Sequence, residues 1–384
     1  MNQKTEKSKT ITNKTPVNQP AVNKSATAKD EQQTKILPVD KSVRRLESHP
    51  SIQEAASMLR NGEVVAFPTE TVYGLGADAL SDAAINKIYL AKGRPADNPL
   101  IVHLSDRDQI SEYVTSVSEK ARRLMKAFWP GPLTLVLEHS GKLSAQVTAN
   151  LSTVAVRIPD HPVALALITA ANRPIAAPSA NTSGRPSPTA AAHVYDDLKG
   201  RIPAIVDGGV TGVGVESTVV DCTADQVMIL RPGGITKEAI EAVVGEVTID
   251  PALAQRTGTA TSVAPKSPGM KYTHYAPDAP LVLIDGGVAF FQDQVTKAMN
   301  TGKKTGVLVS AELDDYIQAD KKVIVGSREN LSTVAGALYE SLRAFKANEV
   351  DIIFSEVFPE TELGVAIMNR LYKAAGNQMI SEQK

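Results

Sequence analysis

The sequence predicts an α/β protein in two units: a twisted mixed sheet with helices, followed by a smaller open α/β unit. Three observations carry that expectation. Short aliphatic or β-branched runs alternate with helical patterns from Ser51 onward. After residue 200 strand-like runs follow one another directly, which implies an antiparallel portion. Between 246 and 278 the rhythm fails, and a second alternation starts at Leu281. A chain of 384 residues exceeds one compact core, and 42% hydrophobic residues supply material for two.

Residues 1–35 are mostly Lys, Asn, Thr, Gln and Ser, and are expected to form a disordered, mildly basic tail without the apolar stretch of a secretory signal. The first helix is expected over 51–60, opened by the capping box Ser51-Ile52-Gln53-Glu54 and closed by Asn61-Gly62. Strands are expected at 64–67, 100–104, 133–137, 154–158, 175–177, 204–206, 217–220 and 227–230, with helices at 82–91, 119–128 and 161–171. The break at 246–278 holds Ser267-Pro268-Gly269-Met270-Lys271-Tyr272-Thr273-His274-Tyr275-Ala276-Pro277. Two tyrosines, a histidine and a lysine in five residues are more than a plain linker needs, so this segment is expected to pack on something. The second unit then reads as strand 281–284, helix near 290–299, strands 305–309 and 323–325, helix 331–347, strand 352–354 and helix 365–375.

Charge and cysteine usage exclude several classes. Lys plus Arg number 41 against 42 Asp plus Glu, a net charge of -1, so no global basic field points to nucleic acid as the bulk partner. The single cysteine, Cys222, rules out an internal disulfide framework and fits a reducing compartment, the cytoplasm by default. The longest apolar run, 163–171, falls far below the roughly 18 residues that span a bilayer, so no membrane helix is expected.

The chemistry gathers at strand ends. Lys92-Gly93-Arg94-Pro95 follows a helix; Arg157 and Arg231 each stand where an apolar strand stops; Pro178-Ser179-Ala180-Asn181 opens a proline-braced loop that also carries Arg185 and Ser187. Lys92 and Arg94 alone read as cations at a helix C-terminus. Arginines at the ends of buried strands need an anion, however, and Asp and Glu are sparse in the sequence around both. Together these cations and hydroxyls describe a pocket for a phosphate-bearing ligand. No GxxxxGK[ST] run occurs, so side chains must hold the phosphates. The run Pro68-Thr69-Glu70-Thr71-Val72-Tyr73-Gly74-Leu75-Gly76 reads equally as a flexible loop presenting hydroxyls, a carboxylate and a phenol or as a plain strand-to-helix turn, and Gly208 to Gly214 reads as a mobile glycine-rich loop. The six histidines show no metal-ligand spacing; His103 and His274 alone stand near other candidate groups.

These motifs (KxR with SxN, PTETVYGLG, FWPGPLTLVL and SPGMKYTHYAP) closely resemble the long form of the YrdC family, the threonylcarbamoyl-adenylate synthases, over about residues 36–384. The resemblance implies a YrdC-like catalytic domain over 36–245, a linker or lid over 246–278, and a C-terminal Rossmann-like α/β domain over 279–384. It implies synthesis of L-threonylcarbamoyl-AMP from L-threonine, bicarbonate or CO2, and ATP. The product would pass to a tRNA threonylcarbamoyltransferase complex. Carried over by position, Thr71, His103, Arg157, Ala177 and Ser217 would form the threonine site. Lys92, Arg94, Asn98, Thr153, Ser179, Asn181, Ser187 and Arg231 would form the ATP site, Lys92 and Arg94 being catalytic, with Tyr272 or Tyr275 touching the nucleotide. Mg2+ would be held mainly by ATP phosphates rather than by protein ligands. Two rival readings are a carbamoyl-adenylate enzyme of YrdC type, whose acylphosphatase and Cys-rich zinc segments this sequence lacks, and an RNA-binding module, which the net charge of -1 disfavours.

Overall fold

The computed structural model describes residues 33–96, 98–254 and 274–383. Strands β1 (Lys35–Pro38), β2 (Val65–Pro68), β3 (Tyr73–Asp78), β4 (Ile101–His103), β5 (Leu133–Glu138), β6 (Thr153–Arg157), β7 (Ile175–Ala176), β8 (Ala204–Asp207), β9 (Thr218–Asp221), β10 (Met228–Arg231) and β11 (Thr248–Ile249) form one sheet. Their order is β1-β8-β2-β3-β7-β4-β6-β5-β9-β10-β11. Pairing is mixed, as the sequence predicts: β4 runs parallel to β6 and β5 to β9, while β5 with β6 and β9 with β10 are antiparallel.

Aliphatic residues cover both faces of this sheet. On one, Ile52 and Leu59 of the helix Pro50–Arg60 and Leu167 and Ile168 of the helix Pro162–Ala171 share a core with Phe67 and Ile175. On the other, Ile85 and Ile88 of the helix Asp82–Lys92 and Leu124 of the helix Glu119–Phe128 pack with Leu100, Val102 and Leu135.

Three local expectations need correction. The chain from Lys35 is already a strand, β1, laid parallel on β8 rather than the end of a tail. The predicted capping box does not form: Pro50 takes the first helical position and a ring nitrogen of His49 accepts from the Ser51 amide at 3.2 Å, so Ser51 lies inside the first turn. Tyr73–Asp78 is a buried strand paired with both β2 and β7, not a turn into a helix. Its glycine is there for close approach, since a Cβ on Gly76 would fall 2.7 Å from the Phe67 ring and 2.8 Å from Ile175.

The second sheet comprises β12 (Leu281–Asp285), β13 (Thr305–Val309), β14 (Lys321–Ile324), β15 (Ile352–Glu356) and β16 (Met379–Ser381), ordered β14-β13-β15-β12-β16. All its pairings are parallel. The helix Val288–Asn300 covers one face through Phe291 and Val295. The helices Leu331–Arg343 and Leu363–Ala374 cover the other, in a core that also takes in Val72 and Val215 of the first lobe. The two lobes are therefore joined by apolar burial. Among the described residues no helix is long and apolar enough to cross a membrane.

Candidate active site

Because β4 and β6 are parallel, their C-terminal ends reach the same sheet edge, and His103 and Arg157 are register partners there. β7 runs antiparallel to β4 with Ile175 opposite His103, so Ala177, whose amide donates to the Ile101 carbonyl at 2.9 Å, and the loop from Pro178 lie back along β4 toward its start. Ser217 and Arg231 arrive from the neighbouring ends of β9 and β10. One cavity of about 80 Å³ is lined by the predicted residues Thr71, Arg94, His103, Arg157, Ala177, Ser179, Asn181, Ser187, Ser217, Arg231 and Tyr275. A roomier cleft of about 530 Å³, bounded by Ile229, Pro232, Ile235, Asn369 and Tyr372, takes in none of these cations. The chemistry favours the smaller cavity.

Arg157 is buried and placed by three partners. Nε donates to the Gly131 carbonyl at 3.3 Å, Nη1 donates to Thr71 Oγ1 at 3.0 Å, and Nη2 lies 2.6 Å from Glu70 Oε2. The last contact is Coulombic, since neither atom has hydrogen-bond geometry. Carboxylates sparse in the local sequence are thus supplied by folding, from Glu70 beside Thr71. His103 packs edge-on to Phe67, and burial, then the Arg157 charge, lowers its ring to about 3. It is neutral at physiological pH.

Lys92 of the KxR motif and the SxN loop form a single hydrogen-bonded unit. Lys92 ends its helix, which Gly93 closes in the left-handed conformation at φ 62, but its side chain is not a solvated cap. Nζ donates to the Ser179 and Asn181 carbonyls, each at 2.5 Å. Burial, then Arg94, pushes its pKa well below that of a free lysine. Ser179 Oγ donates to Asn181 Oδ1 at 2.6 Å, and Asn181 Nδ2 donates to the Thr182 and Arg185 carbonyls at 2.9 Å. Both amide atoms of buried Asn98 lack a hydrogen-bond partner among the described residues. Thr153 does not line the cavity; it opens β6 opposite Glu138, about 13 Å along the strand from Arg157. Tyr272 lies outside the described residues.

The residue that sequence reasoning missed is Glu216. Its carboxylate accepts from Ser187 Oγ at 2.7 Å, from the Tyr339 hydroxyl at 2.7 Å and from Arg370 Nε at 3.0 Å. Burial alone would raise its pKa, but Arg370 and then Arg231 outweigh burial and hold it at about 2. Arg231 itself donates to the Ser217 carbonyl at 2.9 Å and hydroxyl at 3.1 Å. The glycine-rich loop beside it is tied down: Glu70 O accepts from the Gly212 and Val213 amides, and a Cβ on Gly214 would meet Ala335 O at 2.2 Å. Cys222 is buried and its thiol is pushed up to about 12, too high for thiolate chemistry.

A family described as "Telomere recombination" (Sua5_yciO_yrdC) matches residues 57–233, and one described as "Threonylcarbamoyl-AMP synthase, C-terminal domain" matches 235–376. Threonylcarbamoyl-AMP synthase of Bacillus subtilis strain 168 is 53% identical over 349 residues, covering 91% of this chain and 99% of that protein. The protein of that name from Pyrococcus abyssi is 46% identical over 86% of this chain and 95% of its own. The crystal structure of P. abyssi Sua5 complexed with L-threonine superimposes with a TM-score of 0.85 at 44% identity, over 91% of this chain and 100% of that one. Fold and site define a two-lobed α/β protein with an anion pocket at its strand ends. Matched along both lobes, the chain belongs to the threonylcarbamoyl-AMP synthase family.

Proposed function

We propose that this chain joins L-threonine, bicarbonate or CO2, and ATP into L-threonylcarbamoyl-AMP with release of pyrophosphate, the first step of tRNA threonylcarbamoyladenosine modification at position 37. The observation that carries this reading is two unlike sets of groups meeting in one cavity. One is Arg157 with Thr71, His103, Ala177 and Ser217; the other is Arg94 with Ser179, Asn181, Ser187 and Arg231. The first suits an amino acid, whose carboxylate a guanidinium takes through paired hydrogen bonds. The second suits a triphosphate.

The threonine amine, once carboxylated, presents a carbamate oxygen to the α-phosphorus of ATP. A phosphorus–oxygen bond forms there as the bond to the bridging oxygen breaks, and pyrophosphate leaves with the electron pair. Arg94 and Arg231 offset the charge that grows on the phosphate oxygens, and Lys92 holds the Ser179–Asn181 carbonyls that shape the loop. Asn98 lies outside the cavity lining, but both of its amide atoms lack a partner among the described residues, which supports a ligand contact there. Tyr275 lines the cavity and is stacked on Tyr339 at 5.2 Å, which supports it as a residue on the nucleotide. A cavity of about 80 Å³ is smaller than the several hundred typical of ligand sites, so the wall moves to admit ATP and closes over a carbamate that water would otherwise decompose.

Among the described residues no cluster of three or more His, Cys, Asp or Glu side chains is placed to hold a metal ion. Among the described residues, Glu216, which lines the cavity, and Glu70, next to the lining residue Thr71, are each paired with arginine. We read Mg2+ as entering as part of the ATP complex, held mainly by the phosphates, and no step here is routed through it. The product passes to a tRNA-modifying transferase complex, with no stable nucleic-acid binding by this chain. A lone cysteine and these reaction partners are consistent with the cytoplasm. Isotope-labelled bicarbonate tests the reading: label is expected in a product whose mass combines AMP, threonine and one carbonyl. Cleavage of ATP to AMP with no threonine in the product would overturn it.

A further inference from the structure

We propose that Arg370 and Tyr339 of the second lobe are positioning residues for the phosphate side of the cavity, holding the Glu216 carboxylate so that the Arg231 charge stays available to an incoming phosphate. This rests on the reading of Arg231 as a phosphate ligand. The contacts form a closed set. Glu216 Oε2 accepts from Arg370 Nε at 3.0 Å and from the Tyr339 hydroxyl at 2.7 Å, while Oε1 accepts from Ser187 Oγ at 2.7 Å. Arg370 Nη1 also donates to the carbonyl of Pro232, the residue after Arg231, at 2.5 Å. One side chain of the second lobe thus fixes both the carboxylate and the strand end that carries Arg231.

Burial makes the arrangement consequential. Arg370 and Tyr339 are 0% exposed, Arg231 5% and Glu216 7%. Within this trio of charges two are positive and one negative, and in a dry setting the carboxylate must pair with whichever guanidinium lies nearest. With Arg370 in place it pairs across the lobe boundary, leaving a net positive charge beside Ser187 and Ser217 for an anion. Without Arg370, Glu216 turns to Arg231, the cation beside Ser217, and neutralises the group that would meet phosphate.

The test is steady-state pyrophosphate release by full-length protein with ATP and threonine varied separately. Arg370→Met is expected to raise KM for ATP by about tenfold or more while KM for threonine stays within about threefold. Adding Glu216→Gln to that variant removes the competing charge and is expected to bring KM for ATP back to within about threefold of the parent. Tyr339→Phe removes one hydrogen bond, gives a shift of a few-fold in the same direction, and keeps the test alive if Arg370→Met does not fold. An unchanged KM for ATP in the single variants, equal losses for both substrates, or no recovery in the double variant would overturn the proposal. A parent protein that releases no threonine-dependent pyrophosphate would instead overturn the reading on which it rests.

Discussion

Arg157 and Glu70 meet as an ion pair, Nη2 to Oε2 at 2.6 Å, with only 4% and 12% of their side chains exposed. A buried guanidinium cannot shed its charge, so the chain supplies it with a carboxylate from the loop that also carries Thr71. A substrate carboxylate has to share or take that place. Glu70→Gln is therefore expected to tighten threonine binding about three- to tenfold, measured by calorimetry. Weaker binding would instead assign Glu70 to the threonine ammonium.

Arg157 is positioned through Nε by Gly131 and through Nη1 by Thr71, with Nη2 facing Glu70. Arg157→Lys keeps the charge and loses the fork. KM for threonine is expected to rise about 10- to 100-fold, with KM for ATP within about threefold, because a hydrogen bond to a charged group contributes roughly 1.5–3 kcal/mol. Equal loss for both substrates would contradict the division of the cavity into two sites.

Lys92 joins the end of its helix to the Ser179–Asn181 loop through two carbonyls. Lys92→Met leaves both acceptors without that donor, and each unmade buried bond costs about 1–3 kcal/mol. Amide exchange in residues 178–185 is expected to accelerate about tenfold or more, read by mass spectrometry on the native protein. Unchanged exchange would mean that the loop is held without the Lys92 side chain, by its own Ser179 and Asn181 bonds and by backbone bonds such as Ala180 N to Tyr73 O.

Much of the fold and half of the site's logic were legible in the sequence. Aliphatic runs located β2 and β4 to β10 within one or two residues, because strands buried on both faces must be apolar. β3 was not legible, since Gly74 and Gly76 look like a turn until Phe67 and Ile175 are seen against them. Nor was the N-cap of the first helix, where His49 and Pro50 displaced the Ser51 box. The strand-end cations Arg157 and Arg231 could be found because charge at the end of an apolar run is anomalous on its face. Glu216 could not, for its partners Tyr339 and Arg370 are 123 and 154 residues away and become neighbours only when the lobes pack.

Burial, then Arg157, lowers His103 to about 3, whereas the unfolded chain titrates it near 6.5. Between those values the unfolded state binds more protons, so stability rises with pH across that window and is lost as pH falls from about 6.5 toward 3. His161 and His274, each lowered to about 4 by burial first, act in the same direction. The loss of Tm between about pH 8 and pH 5 is expected to shrink in His103→Gln. An equal loss in both proteins would show that His103 is not kept neutral by the fold.

Pyrophosphate release from ATP by the purified chain, with threonine and bicarbonate each withheld in turn and no tRNA present, bears most directly on the two-site cavity. Release is expected only when all three substrates are supplied together. Release that is indifferent to threonine, or that requires tRNA, would contradict it.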